Sequence, residues 1–306
     1  MTQSENEKAF NFPKIGLGTC NLKEIEEVVY ESIKDGIRLI DTASCYKNEE
    51  QVGRGIKKAI DEGIVKREDL FVVTKCWITE KSDPEKALKS SLERLKLDYV
   101  DLYLDHWPSG KCYDDKLENK FDLISIRDMW PKMEKLVNDR LTKFIGVSNY
   151  NVQNILIILS ICKIKPVVNE VEFHPYLYQK DLKEFCDKED LKIFSYNPLV
   201  KGGYCKKEMH QKAIKEKGLD LLNEEIILNL AKQYSKSPGQ IVLNWHIHLG
   251  VIPIPGTTNP KRMKENLEAE SFTMKDEDYN SISALCEKKE YRFCDSLGIY
   301  GIDIFA

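Results

Sequence analysis

Four side chains that can hold or move a proton follow short apolar segments of the chain: Asp41, Tyr46, Lys75 and His106. A free tyrosine has a pKa of about 10, which is too high for an efficient general acid at neutral pH. A neighbouring lysine cation would favour the phenolate and lower that pKa. Asp41 would keep Lys75 charged and oriented, and His106 would hold a substrate oxygen. Together, these residue types predict a site that donates a proton to a carbonyl group.

Each of these residues alone has an ordinary structural explanation. A single lysine after an apolar segment is usually solvated, and a single histidine is more often structural than catalytic. Their shared position favours chemistry, because Asp41, Lys75 and His106 each end an apolar segment and Tyr46 follows Asp41 closely. If the segments are parallel strands, their carboxyl ends meet at one mouth.

The elements that must position these residues alternate between short apolar segments and longer helical ones. Near-continuous apolar runs are typical of parallel strands covered on both faces. Helices are predicted over Lys23–Asp35, Asp83–Leu97 and Ser237–Leu249 from apolar spacing, Asp-Pro or Ser-Pro starts and Gly ends. This order predicts a single (β/α)8 TIM barrel over residues 1–306 rather than a doubly wound sheet. The predicted strands are Ile15–Thr19, Leu39–Thr42, Leu70–Lys75, Leu102–His106, Phe144–Ser148, Val168–Val171, Ile193–Tyr196 and Val251–Ile254.

Two segments are too long to be simple connections. Pro108–Phe121 follows the fourth predicted strand, and Tyr291–Ala306 forms an aromatic-rich tail. Loops at the carboxyl ends of barrel strands line the site in enzymes of this architecture. We therefore expect an extended substrate loop and a tail that lies over the barrel mouth.

Composition excludes several classes of function. The 306 residues are 42% hydrophobic and 31% charged, with a net charge of −4 and no basic block, so we expect no nucleic-acid partner. Met1–Lys14 is polar and unlike a secretory signal, and the longest apolar run, Ile155–Cys162, is too short to span a membrane. Nine cysteines without a CxxC pair argue against a disulfide framework and a zinc site, so we expect a reducing, cytoplasmic location.

Six segments, in unbroken order, resemble the aldo-keto reductases. The resemblance extends over roughly residues 12 to 270 and implies a (β/α)8 barrel that reduces aldehydes or ketones to alcohols by hydride transfer from NADPH. The resembling segments are Asp41–Gly53, Phe71–Lys75, Asp101–Pro108, Gly146–Asn149, Val168–Pro175 and Ser195–Leu199.

The resemblance also implies roles for individual residues. Tyr46 becomes the general acid, Lys75 and Asp41 tune it, and His106 orients the substrate. The implied substrate pocket is lined by Cys20, Trp77 and Trp107, although both tryptophans also suit ordinary core packing. The implied cofactor-binding residues are Gly18, Thr19, Ser148, Asn149, Glu170, Tyr196, Leu199, Lys201, Thr257, Arg262, Glu265 and Asn266. Among them, Ser148 and Asn149 would bind the nicotinamide carboxamide and Tyr196 would stack on its ring.

Three positions depart from the family pattern. Glu170 stands where Gln is common, and an ionised Glu only accepts hydrogen bonds. Cys20 stands where Trp is frequent and should widen the pocket. Gly256 stands where a Lys commonly holds the adenosine 2′-phosphate, while Arg262 keeps its place and Lys261 is a partial substitute. We therefore expect NADPH as the cofactor, with NADH as a weaker alternative and no metal.

Alternatives remain at this point. Relatives with the same fold serve as binding subunits of potassium channels, and a barrel aldolase would use Lys75 as a Schiff-base nucleophile. Metal-assisted hydrolysis is less favoured, because His246 and His248 lie two apart on a predicted helix and no carboxylate cluster accompanies them. The substrate is not identified beyond a small aldehyde, ketone or open-chain sugar; sugars are included because the tail weakly resembles that of xylose reductases. We expect a monomer or weak dimer.

Overall fold

The computed structural model describes residues 12–109, 124–201, 207–294 and 305. Eight parallel strands form one sheet in chain order, β1 to β8, with helices between them. The strands are β1 Leu17–Gly18, β2 Leu39–Asp41, β3 Phe71–Cys76, β4 Val100–Asp105, β5 Thr142–Ser148, β6 Val168–Glu172, β7 Lys192–Tyr196 and β8 Ile252–Pro253. The helices are α1 Ile25–Asp35, α2 Glu49–Asp61, α3 Pro84–Leu95, α4 Ile126–Asn138, α5 Val152–Leu159, α6 Lys180–Lys188, α7 Lys207–Lys217, α8 Glu225–Tyr234, α9 Pro238–His248, α10 Pro260–Leu267, α11 Asp276–Ser283 and α12 Leu285–Lys289.

The first and last strands are hydrogen-bonded to each other, which closes the barrel. The Gly16 N–H donates to Pro253 O at 3.0 Å and the Gly18 N–H donates to Pro255 O at 3.2 Å. β8 is shorter than predicted because the two prolines have no N–H with which to extend a regular ladder. The backbones approach closely here, since a Cβ on Gly18 would lie 2.7 Å from Ile254 O.

Because side chains alternate along each strand, the barrel interior has an apolar lower layer and a polar upper layer. Successive side chains of a strand point to opposite faces, so residues two apart share one face. Phe71 and Val73 of β3 belong to the apolar interior cluster, and Lys75 is the next residue on the same face. The same relation places Asp41 above Leu39 and Glu170 above Val168. The ionisable residues therefore occupy the carboxyl end of the interior.

Caps confirm the predicted starts at Asp83 and Ser237 and the predicted end before Gly36, whereas α1 begins at Ile25 instead of Lys23 and α3 ends at Leu95 instead of Leu97. Asp83 accepts a hydrogen bond from the Lys86 N–H at 3.0 Å and begins α3. Ser237 and Gln240 form a capping box at the start of α9. At the end of α1, Gly36 adopts a left-handed backbone with φ of 115°, a conformation that favours glycine.

The two long segments are only partly described. Pro108 and Ser109 are the only described residues of the predicted Pro108–Phe121 loop, and the rest lies outside the described residues. In the tail, Cys294 lines the cavity at the barrel mouth and the Phe305 ring lies 6.1 Å from that of Trp107. Within the described ranges, none of the helices has the length and apolar character needed to cross a membrane.

Candidate active site

The deepest part of the site is a buried cation between two carboxyl groups. The Lys75 ammonium lies 2.6 Å from Asp41 Oδ2 and 3.3 Å from Glu170 Oε1, and it donates to Thr42 O at 3.0 Å. Lys75 is fully buried. Burial opposes its charge, but the neighbouring Asp41 and Glu170 raise the pKa of Lys75 above its ordinary value. The predicted pairing of Lys75 with Asp41 is therefore present, and Glu170 joins it.

Tyr46 and His106 lie above this cluster. The two rings are edge to face, 5.8 Å apart, and the Lys75 ammonium lies 5.2 Å from the centre of the Tyr46 ring. Burial raises the pKa of Tyr46 well above its ordinary value, and the carboxyl groups of Asp41 and Glu170 act in the same direction. The pKa of Tyr46 is thus raised overall and not lowered as expected, because burial dominates. Tyr46 keeps its proton at neutral pH.

His106 is uncharged for the complementary reason. Burial lowers the pKa of His106 well below its ordinary value, and the charge of Lys75 lowers it further. Cys45 Sγ lies 3.7 Å from His106 Nδ1. A neutral imidazole beside a protonated phenol is an arrangement that can bind a carbonyl oxygen and give it a proton.

A cavity of about 650 Å³ extends from Tyr46 and His106 to α10. Three predicted residues do not line it. Lys75 and Thr19 are both fully buried, and Thr19 donates through Oγ1 to Asp41 O at 2.9 Å. Trp77 contacts His106 at a ring distance of 5.1 Å. The predicted residues that line the cavity are Gly18, Cys20, Asp41, Tyr46, His106, Trp107, Ser148, Asn149, Glu170, Tyr196, Leu199, Lys201, Thr257, Arg262, Glu265 and Asn266.

The residues expected to bind a carboxamide are held by one hydrogen-bond network. Ser148 Oγ donates to Glu170 O at 2.9 Å, and the Asn149 N–H donates to the same oxygen, also at 2.9 Å. Asn149 Nδ2 donates to His106 O at 3.1 Å, and its Oδ1 accepts from the Tyr196 hydroxyl at 2.7 Å. Asn149 has a left-handed backbone, φ 63°. The network brings these side chains together on one wall, next to Glu170.

The other end of the cavity is more exposed. Asn259 caps α10, and Arg262 on its first turn is exposed and lines the cavity. Lys261 does not line it, since its ammonium points to Glu265 Oε1 at 3.8 Å and its side chain is 85% exposed. On the loop after β7, Lys201 pairs with Asp220 at 3.0 Å. The proposed substitution of Lys261 for the missing lysine thus has no support in this geometry.

Several lining residues were not predicted. Asn197 and Pro198 directly follow Tyr196, while Leu222, Asn223 and the segment 237–239 come from the connection between β7 and β8. The Ser-Pro pair at 237–238 was recognised only as a helix start. A helix N-terminus attracts anions, so the same Ser-Pro pair also indicates that the start of α9 could contact a cofactor phosphate.

Two of the alternatives lose support. Lys75 is protonated and held by three oxygen-bearing groups, whereas a Schiff-base lysine must be a free amine. Metal-assisted hydrolysis loses support because the described His, Cys, Asp and Glu side chains form no cluster that could hold a metal ion. His246 is buried with its ring nitrogens at backbone oxygens of Val242 and Phe173, and His248 stacks on Tyr279.

Known proteins match this chain over most of its length. The model of the aldo/keto reductase family matches residues 14–287. The chain is 36% identical to aldose reductase B of Dictyostelium discoideum, covering 98% of this chain and 96% of the relative. It is 37% identical to an NAD(P)H-dependent D-xylose reductase of Pyricularia oryzae, covering 95% and 96%. A Bombyx mori aldo-keto reductase solved in complex with NADP superimposes with a TM-score of 0.84 at 33% identity, covering 95% and 94%.

The match extends through all eight strands and includes the segments that carry Asp41, Tyr46, Lys75 and His106. The chain therefore belongs to the aldo/keto reductase family of (β/α)8-barrel oxidoreductases.

Proposed function

We propose that this chain reduces aldehydes or ketones to alcohols with NADPH, and that Tyr46 supplies the proton. The observation that carries the proposal is the meeting of a protonated Tyr46, a neutral His106 and the Lys75–Asp41 pair at the inner end of one cavity. When bound, the reduced nicotinamide supplies a hydride to the carbonyl carbon. The long cavity, with a carboxamide-binding wall at one end and Arg262 at the other, fits a dinucleotide.

The roles of the individual residues follow from their charges. His106, uncharged and with Nδ1 beside Cys45, presents its other ring nitrogen to the substrate oxygen. Tyr46 donates its proton to that oxygen and becomes a phenolate. Lys75, 5.2 Å from the ring centre, stabilises the negative charge that forms, and Asp41 keeps Lys75 in place. Ser148, Asn149 and Tyr196 orient the nicotinamide.

The substrate class we propose is small aldehydes and ketones, including open-chain sugars. Relatives named as aldose and xylose reductases support the sugars. The walls formed by Cys20, Trp107 and Cys294 offer thiol and aromatic surface beside His106. We further propose that residues 1–306 form one catalytic domain that works in the cytoplasm as a monomer or weak dimer. Assays of aldehydes, ketones and aldoses with NADPH and with NADH test the substrate class and the preference for NADPH.

The Tyr46→Phe variant tests the proton donor. Loss of a general acid should lower kcat by at least about 10²-fold, while NADPH affinity, followed by protein fluorescence quenching, stays nearly unchanged. Tyr103→Phe is the matched control, because Tyr103 is a buried tyrosine that does not line the cavity and its loss should leave turnover intact. Most of the carbonyl reductase activity surviving in Tyr46→Phe would remove Tyr46 from the mechanism. Absence of turnover in the wild-type protein, with NADPH still bound, would favour a binding subunit.

A further inference from the structure

The floor of the cavity, formed by Asp41, Lys75 and Glu170, holds two carboxyl groups and one ammonium group. Asp41, Lys75 and Glu170 are all at most 2% exposed, and among the described residues Lys75 is the single cation between the two carboxyl groups. Lys75 lies closer to Asp41, contacting both of its oxygens at 2.6 and 2.7 Å, than to Glu170 at 3.3 Å. One buried cation compensates one carboxylate, so the second carboxyl group is more stable with a proton.

Glu170 is the group that holds this proton. Burial, together with the charge of Asp41, raises the pKa of Glu170 well above its ordinary value. Glu170 Oε2 is buried and accepts no hydrogen bond from any residue in the described part of the chain. In this state Glu170 both donates and accepts, as a glutamine would.

Other titratable groups around Glu170 do not change charge between pH 6 and 9. Burial raises the pKa of Cys20 to about 12 and raises that of Tyr46 well above its ordinary value. His106 is neutral because its pKa is lowered, and Tyr196 is neutral because its pKa is raised, in each case mainly by burial. The groups facing Glu170 across the cavity floor are Asp41 from β2, Lys75 from β3, Cys20 after β1, Tyr46 after β2, His106 after β4 and Tyr196 on β7. Among these groups of the described chain, the Asp41–Glu170 pair is therefore the one that can alter the charge of the floor in this range.

We propose that Glu170 matches the charge of the cavity floor to the oxidation state of the bound nicotinamide. This inference rests on the proposed function, because it requires the nicotinamide to lie at the Ser148–Asn149–Tyr196 wall. The reduced ring is neutral and suits a protonated Glu170. The oxidised ring carries a positive charge and stabilises an ionised Glu170, so NADP⁺ binding releases the Glu170 proton to solvent. A glutamine at this position has no proton to release.

The sign of the pH dependence follows from linkage. NADP⁺ lowers the pKa of Glu170 in the complex below its value in the free protein. Between these two values, NADP⁺ binding strengthens as pH rises, approaching tenfold per pH unit if a whole proton is released. NADPH binding has no such gain. It weakens above the pKa that Glu170 has in the free protein, because the neutral ring then lies beside an ionised Glu170. The ratio of the two dissociation constants therefore changes with pH.

The experiment counts protons instead of measuring turnover. Titration calorimetry of NADP⁺ and NADPH, in buffers of different ionisation enthalpy between pH 6 and 9, gives the protons released on binding. Both ligands carry the same phosphates, so the difference between them reports the protein and the ring. We expect the wild type to release up to one more proton with NADP⁺ than with NADPH, and E170Q to show no difference.

Glu134→Gln is the matched control, because Glu134 is a buried glutamate of α4 that caps the Lys163 and Ile164 N–H groups away from the cavity. It should behave as the wild type. Equal proton release by wild type and E170Q, with both cofactors bound, would overturn the inference and leave the proposed function standing. Failure of the wild type to bind either cofactor would instead overturn the proposed function.

Discussion

The two ends of the cavity are built in different ways. At the inner end, Asp41, Lys75 and Glu170 project from strands, are at most 2% exposed and hold one another by contacts of 2.6 to 3.3 Å. At the outer end, Arg262 lies on a short helix and is exposed, and the neighbouring Lys261 is 85% exposed. Burial controls charge at the inner end, whereas solvent screens charge at the outer end. The inner end is suited to catalysis and the outer end to binding of the cofactor.

The largest effect is expected at the inner end, from Lys75→Met. Removal of the cation breaks a buried ion pair and leaves Asp41 and Glu170 without their partner. The free energy of unfolding should therefore fall by about 3–5 kcal/mol. In the molecules that fold, loss of the positive charge makes the Tyr46 phenolate harder to form. Turnover should fall strongly, and the alkaline limb of the pH–rate profile, where the acid loses its proton, should move to higher pH.

Lys81→Met separates stability from chemistry in this prediction. Lys81 is equally buried and pairs with Asp105 at 2.8 Å, but it does not line the cavity. Urea denaturation should show a comparable loss of stability, while the pH–rate profile stays in place. An unchanged rate and profile in Lys75→Met would mean that Lys75 is only a structural lysine. Asp41→Asn should be milder than Lys75→Met, because Asp41 acts through Lys75.

An intermediate effect is expected at the outer end, from Arg262→Ala. A charge-assisted hydrogen bond contributes about 1.5–3 kcal/mol, so NADPH binding should weaken by about 10- to 150-fold. NADH has no 2′-phosphate, and its dissociation constant should change far less. Fluorescence titration of both cofactors measures the two losses. Equal losses would assign Arg262 a structural role, and a wild-type preference for NADH would contradict the assignment of NADPH.

The smallest effect is expected from Lys261→Ala. This side chain points to Glu265 at 3.8 Å and does not line the cavity. An exposed ion pair contributes about 0.2–1 kcal/mol, so NADPH affinity should change by less than about fivefold. A loss as large as that of Arg262→Ala would show that Lys261 does replace the lysine missing at Gly256, and that its side chain turns towards the cofactor.

The sequence was most informative where strand geometry determines position. Asp41, Lys75 and Glu170 could be placed at one mouth because parallel strands end together and side chains alternate. The same rules do not describe burial, so the direction of the Tyr46 pKa was predicted wrongly. They also do not describe side-chain rotamers, and Thr19, expected at the cofactor, instead turns its hydroxyl to Asp41 O.

The outer end was predictable mainly through the family resemblance. Arg262 was placed by its match to a known motif, and its exposure was not evident from the sequence. Leu222 and Asn223 were missed because they lie in a short 3-10 helix between β7 and β8, many residues along the chain from any strand end. Their approach to the cavity depends on the path of a long connection, which local patterns do not encode.

The most direct test of the division between the two ends is to measure one pair of quantities for Tyr46→Phe and Arg262→Ala. The quantities are the single-turnover rate of carbonyl reduction at saturating NADPH and the dissociation constant of NADPH. We predict that Tyr46→Phe loses at least about 10²-fold in rate with nearly unchanged affinity, and that Arg262→Ala loses far more in affinity than in rate. Parallel losses of rate and affinity in both variants would contradict the account.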